Sequence, residues 1–376
     1  MKTILLISHS SAGVGGGEDD FLKLLKFLNK KFIIYSIFPN GDRASEFARL
    51  SDEFLIIPNS VFPIYKFNLK QYIVFIYYSF KKLFVLYPYL KNLKNIDLCY
   101  VNSSVCFLEM YLLKHFNIPF VVSVKEKINP ALIRNSIYKL FGKSARKVIV
   151  VADYLKVLVS KYVEKSKITV IRPSIDEDYL TVLKNDIRVE HENNKFVILN
   201  IGQIYELKNQ ILLIDAIHKV KNKENILIKL FGYIVDHNYY KKMLQKISKN
   251  NLSNIVKYYG PLNKQNIVKE YLISDIVIIT SIEEGMPLVL IESLFFEKPL
   301  ITTNAGGIPE IIINKKNGLI INSNDPDSLA KAISELKNDK IIYNSIKSNT
   351  FITYKNNFNY HEILNKHYEI FKECLL

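Results

Sequence analysis

A chain of 376 residues, 49% hydrophobic with only 13 glycines and 12 prolines, has material for two ordinary cores and none of the polar bias of a disordered protein. Its three cysteines, Cys99, Cys106 and Cys374, follow no metal-binding or redox spacing, a sparse odd set that suits a reducing compartment. The formal net charge of +15 is concentrated in residues 1–190, with 28 Lys and Arg against 17 Asp and Glu, but no recognition motif accompanies it, so nucleic acid is not an expected partner.

Residues 2–8 read as a first strand, followed by glycines at 13–17 and an apolar periodic helix over about 19–29 with acidic residues in its first turn. The strand begins at Lys2 without a leader, and no long uncharged span matches a bilayer, so a cytoplasmic protein is expected. Further strands are predicted at 32–37, 54–57, 98–101, 120–124 and 148–151, with helical stretches between them, which is the βαβ signature. Between Glu53 and Asp97 there are six lysines and no acid, and rings recur from Phe62 to Tyr89. Over residues 62–94 that mixture suits either an anionic membrane surface, giving peripheral attachment at its inner face, or a helical hairpin with an ordinary basic outer face.

The polar stretch 183–195 reads as a linker, so the expected domains are residues 1–180 and 195–350. The pattern then restarts with strands at 196–201, 226–231, 256–259, 275–280, 299–302 and 318–321, and helices at 209–220, 239–248 and 329–336. The expected fold class is α/β, two Rossmann-like domains facing each other across a cleft.

Residues 280–292 carry the strongest functional signal. Glu284 and Glu292 stand eight positions apart across a Gly285-x-Pro287 junction between a buried strand and a helix. Glu284 falls in the loop at a strand's carboxyl end, where open α/β sheets bind ligands, and Glu292 lies about a turn and a half into the helix, above the same crevice. Carboxylates at two depths suit a long ligand rich in hydroxyls. Gly306 and Gly307 follow another strand, and Pro309 is expected to open a helix whose free N–H groups point back at a diphosphate. The run with Gly15, Gly16 and Gly17 allows close backbone approach to a ligand or forms a plain tight turn; its spacing is not the dinucleotide fingerprint. Lys208 can serve a phosphate or be a solvated surface lysine, and Lys125, beside Glu126, can face the crevice or join an internal ion pair.

Together these pieces resemble glycosyltransferase family 4, the retaining, nucleotide-sugar-dependent enzymes of the GT-B fold, most closely from Asn200 to Leu329. The resemblance implies that Glu284 contacts the donor sugar, that Glu292 holds the nucleotide ribose, and that Gly285, Gly306 and Gly307 belong to the loops around diphosphate and sugar. It assigns Gly15, Gly16 and Gly17 to the amino-domain loop near donor and acceptor, and it returns residues 351–376 to the first domain. No cofactor or metal is implied beyond a nucleoside-diphosphate sugar, commonly a UDP-sugar, and the acceptor is a glycan or lipid-linked sugar of the cell envelope. Two positions depart from the family pattern: Gln203 stands where an arginine joins Lys208 against the diphosphate, and Lys125 stands where a histidine is usual. Those departures raise a catalytically weakened, sugar-nucleotide-binding or partner subunit as one alternative. A GT-B epimerase or phosphorylase is another.

Overall fold

The computed structural model describes residues 1–11, 16–59, 69–190 and 194–376. They divide into two units: Met1–Pro173 with His361–Leu376, and Ser174–Tyr360. In the first unit, strands β1 (Thr3–Ile7), β2 (Ile33–Pro39), β3 (Glu53–Ile57), β4 (Leu98–Val101), β5 (Phe120–Val124), β6 (Lys147–Val150) and β7 (Ile168–Val170) form a sheet in the order β3-β2-β1-β4-β5-β6-β7. Every pairing in it is parallel. In the second unit, β8 (Phe196–Ile201), β9 (Ile226–Phe231), β10 (Val256–Tyr258), β11 (Ile276–Ile279), β12 (Leu300–Thr303) and β13 (Leu319–Ile321) form a parallel sheet in the order β10-β9-β8-β11-β12-β13.

Continuous Ile, Leu and Val in the central strands follow from burial on both faces, since crossover helices cover each side of a parallel sheet. Ile4, Leu5, Leu6 and Ile7 in β1, and Ile276 and Val277 in β11, are fully buried. Strand order reverses between β8 and β11, which are neighbours although β9 and β10 intervene in sequence. The loops leaving their carboxyl ends therefore diverge around one crevice of the second sheet.

Three local expectations differ from the structure. Residues 183–186, read as linker, belong to the helix Glu177–Asp186, whose first turn is capped by Asp176 accepting from the Tyr179 N–H at 3.2 Å. Burial of Leu180 and Leu183 outweighs its polar composition. Residues 351–357 continue the helix Lys340–Asn357, and the chain rejoins the first unit only from His361. There the helix Tyr360–Leu375 places Phe371 against Tyr100, with ring centres 5.5 Å apart, and Cys374 offers its carbonyl to Arg146. The third difference concerns Lys82 in the helix Leu69–Asn92: it faces inward and pairs with Glu109 at 2.8 Å, so it is absent from any basic outer face. The amino-terminal part of the basic aromatic stretch, 62–68, lies outside the described residues.

Candidate functional site

Each of the two loops at the crevice is shaped by its own sequence and then tied to the other. After β8, Gly202 and Gln203 lead into a short turn, Glu206–Lys208, and Asn209 at φ +51° reverses the chain into the helix Gln210–Lys219. Asparagine tolerates that left-handed conformation better than most residues. After β11, Thr280 and Ser281 lead to Glu284, and Pro287 stands just outside the amino end of the helix Leu288–Phe295. The Ile282 N–H donates to the Leu207 carbonyl at 2.8 Å, and the Thr280 hydroxyl donates to the Lys208 carbonyl at 2.7 Å.

This tie brings two predicted residues together. Lys208 donates through Nζ to Glu284 Oε1, which also accepts from the Ser281 hydroxyl at 2.6 Å. The Lys208 side chain is 25% exposed and that of Glu284 12%, so the pair is shielded but reachable. Asn200, Gly202, Gln210 and Pro287 join them in lining one pocket. A paired ammonium and carboxylate there can exchange each other for a phosphate and a hydroxyl.

The loop after β12 closes on the backbone of Glu284. Gly306 adopts φ +53°, and a Cβ there would fall 1.7 Å from the Glu284 carbonyl oxygen, so only glycine fits. Gly307 donates its N–H to the Gly285 carbonyl at 3.0 Å. The helix expected to open at Pro309 is a single turn, Ile308–Glu310. Its N–H groups do not point free at an anion, because Ile308 donates to Ala305 and Glu310 to Gly307. Gly306 and Gly307 thus position Glu284 by contact, a role that glycine spacing alone does not reveal.

Glu292 is deeper than expected. It is 6% exposed, does not line the pocket around Lys208, and accepts from the Tyr271 hydroxyl at 2.9 Å. Burial, and after it the charge of Glu292, pushes the Tyr271 phenol well above its ordinary pKa, so it remains a donor. Tyr271→Phe is expected to cost about 2 kcal/mol, because a buried hydrogen bond to a charged group is lost. Thermal melts read that loss, and an unchanged melting temperature would contradict it.

Gln203 is exposed and enters the site through its carbonyl, which accepts from the buried Gln210 amide at 2.9 Å. Beside it, Gly232 at φ +144° lets the loop after β9 approach Gly202, where a Cβ would lie 2.0 Å from the carbonyl oxygen. Gln210, Tyr271 and Gly232 are not singled out by the sequence, and Thr280 and Ser281 lie in the 280–292 stretch without a role of their own. Only Ser281, three residues before Glu284, carried a local signal, a hydroxyl at turn spacing from a carboxylate.

In the first unit, Gly15 lies outside the described residues, while Gly16 and Gly17 open the helix Gly16–Leu28. The Gly17 carbonyl accepts from Asn102 Nδ2 at 3.0 Å. Lys125, just past β5, pairs with Asp20 of that helix at 2.5 Å, and Lys23 lies 4.0 Å from the same carboxylate. Burial alone would raise the Asp20 pKa, but Lys125, Lys23 and then His367 outweigh it and hold the carboxyl below its ordinary value. Lys125 is thus committed to an internal ion pair. Lys125→Met is expected to lower stability by about 2 kcal/mol, less than for a wholly lost buried pair because Asp20 keeps Lys23. The loss should fade as pH falls below the ordinary Asp range, where stability from a depressed carboxyl disappears. Melts at neutral and acidic pH test both statements, and equal losses at the two would refute the assignment.

Comparison with known proteins adds the family context. Residues 184–353 match the family model described as Glycosyl transferases group 1. An uncharacterized glycosyltransferase of Methanocaldococcus jannaschii is 27% identical over 63% of this chain and 64% of its own length. A UDP-Gal:alpha-D-GlcNAc-diphosphoundecaprenol alpha-1,3-galactosyltransferase of Escherichia coli is 25% identical over 48% of each chain. The chain therefore spans less than two thirds of either relative. Among solved structures, Anabaena HepE in complex with UDP-glucose superposes with a TM-score of 0.81 at 19% identity, covering 99% of this chain and 100% of that one. With its two parallel sheets, this protein has the GT-B fold and is a homologue of glycosyltransferases, its group 1 match spanning residues 184–353.

Proposed function

We propose that the protein is a retaining glycosyltransferase of family 4 that moves a sugar from a nucleoside-diphosphate donor, a UDP-sugar, to a glycan or lipid-linked acceptor of the cell envelope. The observation that carries this reading is the Lys208–Glu284 pair, held by Ser281 and Thr280 in one pocket at the switch point of the second sheet. A donor entering there offers each member a better partner. Lys208 neutralises charge building on the departing diphosphate, and Glu284 orients sugar hydroxyls as the sugar becomes oxocarbenium-like. Glu292, fixed by Tyr271, holds the ribose from deeper in the same unit. The two carboxylates thus act as holders of the donor, unlike the acid and nucleophile of a hydrolase.

Support for the donor class comes from HepE, solved with UDP-glucose, and support for a lipid-linked acceptor from the name of the E. coli relative. Retention and the family 4 assignment rest on the resemblance of residues 280–292. Gln203 and the engagement of Lys125 by Asp20 favour a second reading, a sugar-nucleotide-binding subunit with little transfer activity.

Calorimetric titration with a panel of nucleoside diphosphates should give saturable binding, strongest for UDP. Lys208→Met should weaken it roughly tenfold, as expected for loss of one charge-assisted contact to phosphate. Failure of every nucleotide to bind would end the donor reading. Radiolabelled sugar entering a cell-envelope extract separates the enzyme from the binding subunit.

A further inference from the structure

The helix Leu69–Asn92 reverses the usual arrangement of a surface helix. Its inner stripe contains the Lys82–Glu109 ion pair together with buried Leu86 and Leu90. Its outer face carries Ile73, Ile76, Phe80 and Phe84 at 58, 51, 59 and 79% exposure. Single exposed apolar residues are ordinary, but a continuous row on one helix marks a surface that something covers. The charge carried by the helix and its carboxyl end has one sign, with Glu53 of β3 as the acid that meets it, at the Tyr89 hydroxyl: Lys81 lies 4.5 Å above the exposed Tyr77 ring, and Lys91 and Lys94 are exposed at the carboxyl end. No acid occurs in the sequence between Glu53 and Asp97.

We propose that this face docks in the plane of an anionic lipid surface. The phenylalanines and isoleucines would enter the boundary between headgroups and acyl chains, with Tyr77 and the lysines at headgroup level. By length and composition, Ile73–Asn92 could cross a bilayer. Crossing would pull Lys82 from Glu109 on the helix Phe107–His115 and strip Leu86 and Leu90 from the core, whereas lying flat preserves all three. Charge decides between lipid and a second copy of the chain. Two copies apposed through this face would bring lysines together with no acid on the helix to meet them, while anionic headgroups supply the countercharge.

The proposal does not depend on the donor site. The full chain is tested by flotation with vesicles of phosphatidylcholine alone or mixed with phosphatidylglycerol, at low and high salt. It should float with the mixed vesicles, lose binding as salt rises, and leave neutral vesicles largely unbound. Phe80→Ser with Phe84→Ser should reduce partitioning at least about tenfold, and Lys81→Gln with Lys91→Gln about fivefold per lysine. UDP titration and thermal melts should stay unchanged in both variants; if the phenylalanine variant melts early, the lysine variant carries the test. The proposal is overturned by no flotation with the mixed vesicles, by equal binding to neutral ones, or by variants that bind like the parent. Light scattering that shows a dimer dissolved by Phe84→Ser, without flotation, would assign the face to a second copy instead.

Discussion

Glu284→Gln is expected to lower turnover by about a hundredfold with saturating donor, equivalent to roughly 3 kcal/mol of transition-state stabilisation. The substitution keeps the side chain's shape and its capacity to accept from Ser281, and it removes the charge that faces Lys208. The loss should therefore appear in kcat and much less in donor affinity, because Lys208 remains to meet the phosphates. Stability should change by less than about 1 kcal/mol, since the Lys208 end of the pair is exposed enough for water to take over. Initial rates over a donor series, with thermal melts on the same samples, check both parts. Unchanged kcat with normal melting would remove Glu284 from the chemistry. A collapse of melting temperature would make the pair a structural element of the β11 loop.

The second large effect is on the backbone. Gly306→Ala should destabilise the second unit by at least about 3 kcal/mol, since the left-handed conformation is unfavourable to a Cβ and the added methyl meets the Glu284 carbonyl at 1.7 Å. Relief of that overlap must move either the β12 loop or Glu284 itself, so UDP affinity should fall with stability. Gly260→Ala is the matched control: it too has positive φ, at +82°, but nothing lies within 4 Å of the new Cβ. It should lose only the conformational part, about 1 kcal/mol. Equal melting shifts in the two variants would mean that the contact with Glu284 is not what requires glycine at 306.

Several parts of the molecule were legible residue by residue. The apolar runs at 98–101, 120–124, 196–201 and 226–231 coincide with β4, β5, β8 and β9, because strands covered on both faces are apolar at most positions, with Ser123, Asn200 and Lys229 as single buried exceptions. Strand β7 was missed, being three residues long with two of them only half-buried. The helix Lys264–Ile273 was missed as well, and its weak amphipathic pattern explains why. Its loss mattered at the site, since it carries Tyr271, the partner of Glu292.

Local chemistry along the chain determined the alternation of strands and helices, the restart of that alternation near residue 196, and the placement of Glu284, Gly306 and Lys208 in loops at strand ends. These depend on neighbours a few positions apart, which the chain itself supplies. Only the tertiary structure decided which charges meet. Lys208 joins Glu284 across 76 positions, Lys125 joins Asp20 across 105, and Lys82 turns inward to Glu109 across 27. The reason is physical: a lysine's flexible stem allows solvent, ligand or carboxylate as partner equally well by sequence, and burial beside a particular acid removes the choice.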